Sequence, residues 1–157
     1  MRVSVQEADF DVGAETEALA AGRADVGAVA SFVGYVRADK LAGESAEDQA
    51  VSAMTLEHYP GMTEKSLEAI VAEAESRWSL LGVRVIHRFG RLVPGDRIVF
   101  VGVAGSHRGE AFAACEFIMD YLKTRAPFWK KEDTPEGGRW VDAREADDAA
   151  AEKWGKA

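Results

Sequence analysis

The chain has 157 residues and a single cysteine, long enough to bury a sizeable core as one domain without disulfides or metal. Its 27 acidic against 19 basic side chains give a net charge of −8, which excludes the broad basic surface that general nucleic-acid binding needs. No apolar run could span a bilayer, and the opening MRVSVQEADF is too short and too acidic for a signal peptide, so the expected location is the cytoplasm.

Taken in order, Arg2 to Gln6 alternates as an opening strand with Val3 and Val5 on one face. Glu15 to Ala21 is alanine-rich and predicts a short helix. Asp25 to Arg37 is a longer β-type run, in which Gly27 and Gly34 mark bulges or close backbone approaches. Ala38 to Ala50 is polar and without an apolar period, which predicts a mobile loop at 38–50. Val51 to His58 reads as a strand, and Pro60 suits the first position of the helix that follows. That helix, from about Gly61 to Ser79, carries Leu67, Ile70, Val71, Ala74 and Trp78 on one face.

Val83 to Phe89 and Arg97 to Ala104 are strand-like. Pro94-Gly95-Asp96 between them is a turn, because proline presets φ and glycine permits a positive one. The pair is expected as a hairpin or as adjacent antiparallel strands. Ser106 can cap a helix starting near Arg108, with Phe112, Cys115, Met119 and Leu122 as its apolar stripe, widened by Ile118. Cys115 thus reads as a buried apolar residue and not as a nucleophile. Pro127 ends the helix and forces Phe128 to Glu132 to extend. Trp140-Val141 adds a short strand after the Gly137-Gly138 turn, and Arg144 to Trp154 a terminal helix. Strands before and after helices, with at least one hairpin, predict an α+β fold or mixed α/β sandwich over residues 1–157.

The charge of the helix that starts near Arg108, and of its continuation past Pro127, is reversed relative to the whole. Between Ser106 and Lys131 the bases Arg108, Lys123, Arg125, Lys130 and Lys131 stand against the acids Glu110, Glu116 and Asp120, an excess of two (5 − 3). A cationic cluster on an acidic chain suits an anionic ligand. His107 and Arg108 sit where free backbone N–H groups and a guanidinium could converge on a phosphate. Lys123, on the last helical turn, and Lys130, after the proline, flank a forced change of direction that can turn both ammonium groups toward one pocket. His58 and His87 lack metal-ligand spacing and read as structural; no metal and no cofactor is expected.

The run HRGEAFAACEFIMDYLKTRAPFWKKE, together with FVGYVR, LEHYPGMTEKSLEAI, HRFGRLVPGD and GGRWV in that family order, resembles the catalytic (large) subunit of molybdopterin synthase from about Gly27 to Trp154. The resemblance implies an α/β-hammerhead-type fold with a small additional antiparallel β-sheet subdomain, assembled as a homodimer within a heterotetramer. It implies a sulfurtransferase that converts cyclic pyranopterin monophosphate to the dithiolene molybdopterin. The sulfur would come from the C-terminal thiocarboxylate of a small ubiquitin-like carrier with a Gly-Gly tail. It places the catalytic lysines at Lys123 and Lys130 and substrate-binding roles at Arg37, His107, Arg108 and Arg144, with Phe32 and Met119 as pocket candidates. After Arg37 the chain departs from the family pattern, with a longer connection and Lys40 near the usual Asn. A docking module that binds the carrier without chemistry is the alternative; it would release no dithiolene.

Overall fold

The computed structural model describes residues 2–38, 53–134, 137–141 and 145–155. From residue 39 on, the expected loop therefore lies outside the described residues. The elements are β1 (Val3–Gln6), α1 (Val12–Ala20), β2 (Ala28–Tyr35), β3 (Ala53–His58), α2 (Met62–Arg77), β4 (Leu80–Arg88), β5 (Gly90–Leu92), β6 (Arg97–Gly105), α3 (Arg108–Arg125), β7 (Phe128–Thr134), β8 (Gly137–Val141) and α4 (Glu145–Glu152). One four-stranded sheet has the order β1-β4-β6-β2, parallel only at β1–β4; the other, β5-β3-β7-β8, is antiparallel throughout. The fold is α+β with a second, smaller antiparallel sheet, as the sequence and the resemblance led one to expect.

Strand alternation explains how the larger sheet is buried on both faces. Val99, Val101 and Val103 of β6 and Val83 and Val85 of β4 meet Leu67, Ile70, Val71 and Ala74 of α2 and the inner face of α3. Phe100 and Ile86 point the other way, onto Phe10 and Val12 at the start of α1. Each large apolar side chain so enclosed contributes about 1.5–3 kcal/mol. Gly27 and Gly34 are indeed close approaches. A Cβ on Gly27 would lie 2.0 Å from the Ser106 carbonyl oxygen, and one on Gly34 2.8 Å from Val99 Cγ1, beside a register shift at Gly34/Tyr35.

Four local expectations need correction. The first helix begins at Val12, three residues early, because Asp11 Oδ1 accepts from the Ala14 N–H at 3.0 Å and caps it. Pro60 lies outside α2: Gly61, with φ 85°, is the N-cap and cannot be helical. Ser106 does not cap α3 either, since β6 runs to Gly105 and the extended His107 is the last residue before the helix. Phe112 is 66% exposed. The buried face of α3 is centred on Ala111, Ala114, Ile118 and Leu122, and at 100° per residue Phe112 falls about 120° from Ile118. The expected hairpin is replaced by the alternative of adjacent antiparallel strands. β4 and β6 do pair, but the chain between them visits the second sheet as β5 before the Val93–Asp96 turn returns it.

Candidate functional site

Because only Ser106 and His107 separate β6 from α3, the helix must fold straight back along the sheet, and it packs on β6 and β2. Eighteen helical residues span about 27 Å and nine strand residues about 30 Å, so the two elements match in length. The end of α3 therefore lies over the start of β6. Antiparallel pairing brings Tyr35 of β2 opposite Arg97, and His87 of β4 opposite Val99, to that same end. Lys123, on the last turn of α3 and exposed, thus shares one end of the molecule with His87 and with Arg37, two residues beyond β2. His107 and Arg108 lie exposed at the opposite end.

The second sheet brings Lys130 to the Lys123 end. Residues 128, 130 and 132 of β7 point to one face, and Lys130 and Glu132 lie opposite Leu56 and Met54, both buried. The Phe128 ring on that face stacks on the His87 imidazole, centroids 3.8 Å apart at 21°. The corner between α3 and β7 is held further by Thr63, whose buried hydroxyl accepts from the Tyr59 N–H at 2.9 Å and donates to the Pro127 carbonyl at 3.0 Å. Lys130 Nζ is 3.7 Å from Glu132 Oε1. Glu132 is 4% exposed, and its Oε2 has no hydrogen-bond partner among the described residues. The cationic corner therefore contains one buried carboxylate.

Of the other candidates, Met119 lies in the core one turn before Lys123, and Phe32 is 41% exposed in mid-β2. Arg144 lies outside the described residues. Cys115 is buried, with Sγ 3.7 Å from the Val101 carbonyl, and burial pushes its thiol up to about 11, so it is no thiolate at neutral pH. Among the described residues no group of three or more His, Cys, Asp or Glu is arranged to hold a metal ion. A groove of about 560 Å³ lies on the α1 side, where Arg97 pairs with Asp9, across the sheet from α3. Sequence reasoning missed Thr63 and Glu132 at this corner, and it read His87 as structural without placing it there. The run HRFG held no signal for His87 beyond its type; Glu132 could have been flagged by its i, i+2 spacing from Lys130 on a strand.

Burial draws the His87 pKa from 6.5 down to about 4, aided by the positive charge of Lys123 and by His58 and opposed by the hydrogen bond to the Arg88 carbonyl. The unfolded chain takes up this proton near pH 6.5 and the folded one only near pH 4. Stability from this group is complete above pH 6.5, is lost as pH falls toward 4, and amounts to about 3 kcal/mol in all. Urea unfolding at pH 7 and pH 4.5 should show that loss in the wild type, and His87→Phe should flatten it; an equal pH dependence in both proteins would contradict the assignment.

Among proteins of known family, the description "MoaE protein" matches residues 5–125 of the chain. The molybdopterin synthase catalytic subunit of Ralstonia nicotianae is 61% identical over 153 residues, covering 98% of this chain and 84% of that protein. That of Pseudomonas aeruginosa is 57% identical over 154 residues, covering 98% and 99%. The solved structure of the molybdopterin biosynthesis MoaE protein from Burkholderia ambifaria superposes with a TM-score of 0.81 at 55% identity, covering 99% of both chains.

Proposed function

The chain belongs to the MoaE protein family, and from that premise we propose that Lys123 and Lys130 form the reaction centre of a molybdopterin synthase catalytic subunit. The enzyme is a sulfurtransferase. It moves sulfur from the C-terminal thiocarboxylate of a small ubiquitin-like carrier to cyclic pyranopterin monophosphate and so builds the dithiolene of molybdopterin. The observation that carries the residue assignment is the α3–β7 corner, where two lysines from different elements face one end of the molecule.

Charge assigns the roles. Lys123 meets the thiocarboxylate carbon and stabilises the anionic adduct formed as sulfur is transferred; Lys130 acts as a proton donor or a second electrostatic clamp. Arg37, at the same end, and Arg144 serve the phosphate and the pterin, with Phe32 and Met119 toward the pocket. His107 and Arg108 cannot join them within one chain. Sixteen residues separate His107 from Lys123, and since α3 is unbroken from Arg108 to Arg125 the rise between them is about 24 Å. A pterin monophosphate is too small to bridge that. A two-fold homodimer brings His107 and Arg108 of one protomer to Lys123 and Lys130 of the other, and closed symmetry makes this site twice. Two carriers on such a dimer give the heterotetramer.

Among the described residues no helix is long and apolar enough to cross a membrane, and we place the enzyme in the cytoplasm. The direct test is incubation with thiocarboxylated carrier and pterin precursor, following dithiolene formation. Carrier binding without product would favour the docking module instead. The carrier's tail should approach Lys123 through a narrow passage that only a Gly-Gly segment fits. Appending one bulky residue to that tail is expected to block turnover while leaving docking nearly intact; equal loss of both, measured by calorimetry and by product formation, would contradict the passage.

A further inference from the structure

Two reversals of the chain meet between the reaction lysines, and one buried hydroxyl joins them. In the first, β3 ends at His58 and α2 begins at Met62; in the second, α3 ends at Arg125 and β7 begins at Phe128, directly opposite His58. Thr63 is fully buried and exchanges two bonds with Tyr59 in the first reversal. Its N–H donates to the Tyr59 carbonyl at 2.9 Å, and its Oγ1 accepts from the Tyr59 N–H at 2.9 Å. The same Oγ1 donates across to the Pro127 carbonyl in the second reversal, at 3.0 Å. A hydroxyl has one proton and two lone pairs, so it can accept from one reversal and donate to the other at once.

The second reversal is short. The Ala126 N–H still reaches back to the Leu122 carbonyl at 3.3 Å, and the Phe128 N–H closes on the Ala126 carbonyl at 2.9 Å, which makes Pro127 the middle of a three-residue turn. Lys123 stands four residues before Pro127 on α3, and Lys130 three residues after it on β7. We infer that Thr63 is a positioning residue for both lysines: its hydroxyl ties the Pro127 carbonyl to the first turn of α2, fixes the angle at which β7 leaves α3, and so sets the Lys123 and Lys130 amino groups relative to one another. Because the side chain is closed to solvent, water cannot take over the bridge. The inference rests on the assignment of Lys123 and Lys130 as the reaction centre.

The test separates the hydroxyl from the packing of the side chain. Thr63→Val keeps the shape and removes the hydroxyl, whereas Thr63→Ser keeps the hydroxyl and removes a methyl group. In turnover assays with thiocarboxylated carrier, at a temperature where circular dichroism shows each variant folded, Thr63→Val should lose about 10-fold or more in kcat, within the roughly 10²-fold that a misplacement of about 1 Å can cost. Carrier affinity and KM for the pterin should stay at their wild-type values, and Thr63→Ser should turn over near the wild-type rate. Wild-type kcat in folded Thr63→Val, beside an inactive Lys123→Ala control, overturns this inference alone. Loss of kcat and carrier affinity together overturns it too, as the mark of a merely structural role, and so does a Thr63→Ser enzyme as slow as Thr63→Val. If Thr63→Val does not fold, Thr63→Cys, with only a weak S–H donor, takes its place against Thr63→Ser under the same criteria. Turnover in folded Lys123→Ala removes the assignment on which the inference stands.

Discussion

Lys123→Ala is expected to yield a folded protein whose sulfur transfer falls by about 10³-fold or more, the scale for removing a group that stabilises an anionic adduct. The fold should survive because Lys123 is exposed on the last turn of α3, while the core-facing positions of that turn are Tyr121 and Leu122. Thermal unfolding should shift little, since surface substitutions away from caps and buried networks usually change stability by within about 0.5 kcal/mol. Single-turnover assays with thiocarboxylated carrier separate the outcomes. Loss of product with intact carrier binding is the expected result. Near-wild-type turnover by the folded variant would remove Lys123 from the chemistry and leave Lys130 as the only lysine candidate.

Mixed subunits should regain activity that neither parent has. Lys123→Ala and Arg108→Ala homodimers are each expected to be inactive, since every site would lack one essential group. In a heterodimer of the two, one site loses both groups and the other keeps both, Lys123 from one protomer and Arg108 from its partner. Random exchange makes half the dimers mixed, with one of two sites intact, so recovery should approach about one quarter of wild-type activity. The unbroken length of α3 is the ground for this expectation, because it holds the two ends of the cationic stretch about 24 Å apart. Mass spectrometry verifies the heterodimers; if they are present and still inactive, each site is built within one chain and the phosphate is held by Arg37 without His107 and Arg108.

Much of this molecule was determined by local chemistry that a sequence displays. The period of Leu67, Ile70, Val71 and Ala74 specifies α2, and Pro127 ends α3 and extends β7, because these effects act within a few residues. Family motifs in order carried the chemistry, and they are the ground on which Lys123 and Lys130 are proposed as its lysines. Other features depend on which elements pack together. Phe112 belongs to an apolar stripe by spacing, but the faces that α2 and the sheet offer to α3 centre its burial on Ile118 and leave Phe112 in solvent. β5 leaves its neighbours to pair with β3, a long-range choice that no turn residue encodes. His87 and Glu132 are ordinary in sequence. They are buried only because β4 ends beneath α3 and β7 turns its Lys130 face inward, where the fold surrounds an imidazole and a carboxylate with apolar side chains.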